Sequence, residues 1–181
     1  MDKTFELIGE EEQRSLIFNL HVGFGKTVFA LRLFMELGVK TLIVVNKKIL
    51  MQQWIERAHD FIDCSLAQEI AKKKSTPSFF EIFPDLHIGV INTLVKNPKS
   101  FFDQYSSIII DEVHFIPSDN FIGILQLASK INYTFGLSAT SERQDKKHNL
   151  YYAYFDNILI RALEYEGAVD LRVYGFIDRD D

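Results

Sequence analysis

Two short runs hold the residues best suited to chemistry. Leu20-His21-Val22-Gly23-Phe24-Gly25-Lys26-Thr27 is a glycine-bearing turn that ends in a lysine and a hydroxyl residue. Ile108-Ile109-Ile110-Asp111-Glu112-Val113-His114 is an apolar run that ends in two adjacent carboxylates. Glycines at 23 and 25 allow the backbone to turn tightly and aim its N–H groups at phosphate oxygens. A helix that starts at the turn adds the positive end of its dipole at the same place. In such a cradle, made by Gly23, Phe24, Gly25, Lys26 and Thr27, Lys26 reaches the β- and γ-phosphates and the Thr27 hydroxyl binds Mg²⁺. Leu20 stands where the wider pattern has its first glycine, so the match is partial. Asp111 is placed to hold Mg²⁺, usually through water, and Glu112 to orient or deprotonate an attacking water. A turn with two solvated carboxylates is the alternative reading of Asp111-Glu112. Together the two runs describe a site for ATP and Mg²⁺.

Such residues need a rigid frame. Short apolar runs alternate with helix-like stretches, the pattern of an α/β fold whose mostly parallel sheet has helices on both faces. Leu16–Leu20 is expected to be a strand that feeds the glycine turn, and Thr27–Leu37 a helix that Gly38 stops. Thr41–Val45 is a second buried strand. From Ile49, the residues Met51, Trp54, Ile55, Ala58, Phe61 and Ile62 recur at helical spacing, which makes Trp54 a core residue. Lys72–Ser78 is expected to be an exposed loop. Further strands are expected at His87–Ile91, Ser107–Ile110, Tyr133–Leu137 and Leu171–Ile177, with a helix over Phe121–Ile131.

Bulk properties narrow the class. The 181 residues suit one domain with a full-sized core, and a hydrophobic content of 47% is too high for disorder. The single cysteine excludes an internal disulfide and fits a reducing compartment. No apolar run approaches the roughly 18 residues that span a membrane, and the N-terminal residues do not resemble a secretory signal. A net charge of −5 argues against a broadly basic nucleic-acid surface, but not against a local one. Neither an internal repeat nor a second domain is evident.

Asp111-Glu112-Val113-His114 followed by Ser138-Ala139-Thr140 resembles the superfamily 2 helicases and translocases. Other segments agree in order. Val44-Val45-Asn46-Lys47-Lys48, with Gln53-Trp54 after it, resembles the region where a strand end meets the nucleic-acid backbone. Gly89-Val90-Ile91-Asn92-Thr93-Leu94 is similar to the segment usually written Thr-x-Gln-Ser-Leu. The closest likeness is to the branch of the type III restriction subunit and the excision-repair helicases, which includes transcript-release helicases of large cytoplasmic DNA viruses.

The resemblance implies a RecA-like P-loop domain, the first motor domain of an enzyme that couples ATP hydrolysis to movement on nucleic acid, DNA rather than RNA. It implies catalytic roles for Lys26, Glu112 and His114. It makes Ser138 and Thr140 the link between hydrolysis and nucleic-acid binding, through hydrogen bonds with His114. It makes Lys47, Asn92 and Thr93 phosphate contacts of the kind that position a strand without reading bases. For Lys47, a solvated lysine at a helix start remains the alternative. The expected location is intracellular: cytoplasm, nucleus, or a viral factory or virion.

Two departures qualify the resemblance. No adenine-reading segment precedes the cradle, because Gln13 stands too close to it. The chain also stops where a second RecA-like domain would begin, and that domain normally supplies arginines worth roughly 10³ to 10⁵ in rate. The expectation is one RecA-like domain over residues 1–181, weak in turnover until a second domain is supplied in cis or in trans. A non-catalytic half-motor serving a larger assembly, viral or otherwise, is the alternative. A small-molecule phosphotransferase would explain the cradle but leave His114 and Ser138 without a role.

Overall fold

The computed structural model describes residues 14–21, 23–61, 79–115, 118–139, 155, 158–165 and 168–175. Eight strands form one sheet: β1 (Ser15–Asn19), β2 (Thr41–Val45), β3 (Phe79–Phe83), β4 (Leu86–Val90), β5 (Ser107–Ile110), β6 (Tyr133–Ser138), β7 (Ile158–Tyr165) and β8 (Ala168–Gly175). Their order is β3-β4-β2-β5-β6-β1-β7-β8. The six inner strands pair in parallel, while β3 and β8 close the edges antiparallel.

The inner strands are built for burial on both faces. Thr41-Leu-Ile-Val-Val45 and Ser107-Ile-Ile-Ile110 are buried at every position, the continuous apolar pattern of a sheet covered on both sides. On one face, α1 (Lys26–Leu37) and α2 (Lys48–Phe61) pack Phe29, Leu33, Met51 and Trp54 against Phe18, Ile43, Ile109 and Phe135. On the other face, the one-turn helices α3 (Ile91–Leu94) and α4 (Lys99–Phe102), with α5 (Ser118–Leu127), pack Leu94, Phe102 and Phe121 against Leu42, Val44 and Ile108. Adjacent residues of β2 thus serve opposite cores, as the period of a strand requires.

The strand order sets the site. The chain leaves β1, passes through α1, and re-enters the sheet at β2, three strands away. Later β6 fills the place between β5 and β1, with Ser138 in register with Asn19 and Gly136 with Ile110. The loops after β1, β2, β4 and β5 all leave from the same carboxyl edge, where open α/β sheets bind ligands.

Several expected boundaries move. The first and third expected strands begin and end one residue earlier, as Ser15–Asn19 and Leu86–Val90. The helix expected at Phe121–Ile131 runs from Ser118 to Leu127, since Ser118-Asp119-Asn120 are helix-starting residue types and Ala128 to Lys130 turn away. The strand expected at Leu171–Ile177 is Ala168–Gly175, the second arm of a hairpin with β7, and residues 176–177 lie outside the described range. Strand β3 was not expected, because Phe79–Phe83 follows a lysine-rich stretch without an alternating pattern of its own. The loop expected at Lys72–Ser78 lies outside the described residues.

Candidate nucleotide site

The cradle sits between β1 and α1. Gly23 and Gly25 adopt φ values of 89° and 85°, in the left-handed region that L side chains rarely enter. Space is not the constraint there: a Cβ on Gly23 would meet nothing within 4 Å, and one on Gly25 would lie 4.0 Å from Val28. Gly25 is the N-cap of α1, with no side-chain cap and no acidic residue in the first turn. The first N–H groups of α1 therefore have no side-chain acceptor at the cap, and the helix dipole presents its positive end with them. Phe24 turns its ring onto the core face beside Phe29, so it contributes to the cradle through its backbone. Thr27 lies in the first turn of α1, half-buried.

The acidic turn follows β5. The Asp111 N–H donates to the Val44 carbonyl at 2.9 Å, which extends the β5–β2 pairing by one bond. Glu112 has φ 48°, the left-handed conformation in a residue with a side chain. Such a residue is held by its surroundings at a cost of order 1–3 kcal/mol. Here the Glu112 carboxylate pairs with the ammonium of Lys26 across 86 positions of sequence. His114, in a 3₁₀ turn over Val113–Phe115, places Nδ1 3.4 Å from Glu112 Oε2 and 2.9 Å from Ser138 Oγ. Ser138 ends β6, and its carbonyl accepts the Leu20 N–H at 2.8 Å, where β1 leaves the sheet for the cradle.

Asp111 is more enclosed than its neighbour, at 6% exposure. Burial is the main reason its carboxyl is pushed above the ordinary carboxylate range; the nearby Glu112 charge adds to this. Opposing them are the Trp54 N–H, the Lys26 ammonium and the Glu112 backbone N–H. The Trp54 indole donates from Nε1 to Asp111 Oδ2 at 2.6 Å. The expectation that Trp54 is a core residue holds for its ring, which is 3% exposed. Its polar end reaches the site, a contact between residues 57 positions apart that has no local sequence signal.

Among the described residues, no group of three or more His, Cys, Asp or Glu side chains is arranged as a metal cage. The Thr27 hydroxyl and the Asp111 carboxylate are hard oxygen donors, of the kind that suit a cation bound through one or two protein ligands together with substrate phosphates.

The structure therefore brings Lys26, Glu112, His114 and Ser138 into one contact series, with Asp111 adjacent. Lys47, Asn92 and Thr93 lie elsewhere on the same carboxyl edge, beyond β2 and β4. Lys47 is exposed. Asn92 Oδ1 accepts a hydrogen bond from Asn120 Nδ2 at 2.7 Å, which ties α3 to α5. Thr140 lies outside the described residues. No described helix is long and apolar enough to cross a membrane.

Comparison with known proteins gives a consistent family. Residues 1–143 match the model of the family described as "Type III restriction enzyme, res subunit". The chain is 31% identical over 160 residues to the DNA 3'-5' translocase XPB2 of Sulfurisphaera tokodaii, across 88% of this chain and 33% of that one. It is 30% identical over 152 residues to 161L of Invertebrate iridescent virus 6, named as a helicase, across 80% of this chain and 33% of that one. The chain spans 33–46% of the length of the first curated relatives it matches. Among solved structures, the UvsW helicase of bacteriophage T4 shares the fold with a TM-score of 0.63 at 22% identity, covering 82% of this chain and 54% of that one.

Proposed function

The chain belongs to the family of the type III restriction enzyme res subunit, and on that premise we propose that it is the ATP-hydrolysing motor domain of a nucleic-acid helicase or translocase acting on DNA. The carrying observation is the unbroken contact series from Lys26 through Glu112 and His114 to Ser138. It joins a phosphate cradle to a carboxylate base and then to the end of the strand between them. A phosphotransferase needs the first two and has no use for the third.

In the proposed site, the triphosphate lies against the backbone N–H groups at the start of α1. Lys26 exchanges Glu112 for the β- and γ-phosphates, which are the stronger anion. Glu112, released, accepts a proton from the water that attacks the γ-phosphorus as the bond to ADP breaks. Thr27 and Asp111 would hold Mg²⁺, which would supply charge neutralisation at the phosphate oxygens. His114 senses the state of Glu112 through the 3.4 Å approach and passes it to Ser138.

Lys47, Asn92 and Thr93 take phosphates of one strand, and Thr140 joins Ser138 in linking the two sites. DNA is the proposed track, as for the DNA translocase among the relatives. A second RecA-like domain, in cis or in trans, closes the open side of the nucleotide, in keeping with relatives two to three times as long. The setting is intracellular, and the viral relative extends it to an infected cell.

Single-turnover ATP hydrolysis, with and without single-stranded DNA, tests this on the chain and on Glu112→Gln. The expected result is slow hydrolysis that DNA accelerates, lost by at least about 10²-fold in Glu112→Gln. Nucleotide binding without turnover, even with a second domain added in trans, would favour a non-catalytic module instead. Turnover indifferent to DNA and RNA would count against the motor assignment.

A further inference from the structure

We propose that Trp54 is a positioning residue for Asp111: its indole N–H fixes the rotamer in which the buried carboxylate meets a nucleotide-bound divalent cation. This rests on the nucleotide reading given above, and goes beyond it by assigning a role to a side chain on a different helix. The indole is a donor only, so Asp111 Oδ2, 2.6 Å away, must be the acceptor. It restrains one of the two carboxylate oxygens.

The backbone completes the hold. Asp111 N–H is bonded to Val44 of β2, and Trp54 lies on α2, the helix that β2 feeds. One β–α unit thus restrains Asp111 at both its main chain and its side chain. With Met51, Ile55 and Ala58, Trp54 belongs to the inward stripe of α2, where phenylalanine is a somewhat smaller aromatic replacement. What phenylalanine lacks is the N–H. Removing the hydrogen-bond partner of a metal ligand typically lowers metal affinity or activity 10–100-fold.

Trp54 is the only tryptophan in the chain, so the contact has its own spectroscopic reporter. The test compares the full chain with Trp54→Phe, measuring ADP affinity by calorimetry over a Mg²⁺ series and in EDTA. The expected result is ADP affinity in EDTA within about twofold of wild type, with the half-saturating Mg²⁺ concentration raised about tenfold or more. An unchanged Mg²⁺ requirement in a folded Trp54→Phe would overturn the proposal and leave the indole as packing. Should Trp54→Phe fail to fold, tryptophan emission of the wild-type chain decides. Adding Mg²⁺ to the ADP complex should change that emission, and should not do so in Asp111→Asn. No Mg²⁺-dependent change in the wild type would overturn the proposal. If the wild-type chain shows no saturable ADP binding, the nucleotide reading itself has failed, and this proposal falls with it.

Discussion

Ser138 Oγ and His114 Nδ1 lie 2.9 Å apart, joining the end of β6 to the turn after β5. Ser138 is buried and His114 nearly so, at 2% and 11% exposure. The same imidazole nitrogen stands 3.4 Å from Glu112. The contacts thus run from Glu112 through His114 to Ser138, on the strand whose end bonds back to Leu20 ahead of the cradle.

This pair should behave as a coupled unit. In a double-mutant cycle of Ser138→Ala and His114→Ala, urea unfolding is expected to give a coupling energy of about 0.5–1.5 kcal/mol. Additive effects of the two substitutions would show that the hydrogen bond contributes nothing.

The cradle should be limited by backbone conformation rather than by space. At Gly25, φ is 85° and the nearest atoms to a built Cβ are 4.0 Å away. Gly25→Asn should be tolerated better than Gly25→Val, because asparagine enters the left-handed region more readily and a β-branched residue resists it. Thermal unfolding should place the melting temperatures in the order glycine, asparagine, valine, with Gly25→Val lower by at least about 1–2 kcal/mol in stability. Equal stability of the two variants would mean that the turn relaxes without cost.

Lys47 is exposed at the carboxyl edge of the sheet, so Lys47→Ala should change stability by less than about 0.5 kcal/mol. Its DNA affinity should fall by a similar factor for every sequence tested. The slope of log affinity against log salt should become shallower by about one phosphate contact. Fluorescence anisotropy at several salt concentrations checks this. An unchanged slope would assign Lys47 to solvent.

Much of this was legible in the residues. Thr41–Val45 and Ser107–Ile110 are short runs rich in β-branched residues, and a strand buried on both faces leaves little room for another reading. The glycine turn and the acidic turn were legible because unusual backbone and paired charge both leave a mark on residue type. The edges were harder. Strand β3 borders only one neighbour, and α3 and α4 have four residues each, too few to show a helical period. The Trp54–Asp111 bond was hidden for a different reason. An inward tryptophan on an amphipathic helix looks the same whether or not its N–H has a partner, and only the folded sheet brings Asp111 to it.

The central claim is that Lys26, held by Glu112 in this structure, is the phosphate-binding lysine of an ATP site. Equilibrium binding of a fluorescent ATP analogue to the wild-type chain and to Lys26→Ala tests it most directly, with melting temperatures measured alongside. Hydrogen bonds to charged groups are worth about 1.5–3 kcal/mol, or roughly tenfold to 150-fold in affinity. Saturable binding by the wild type and a loss of that size in a folded Lys26→Ala are expected. Equal affinity in the two proteins, or an alanine variant that cannot fold, would contradict the claim.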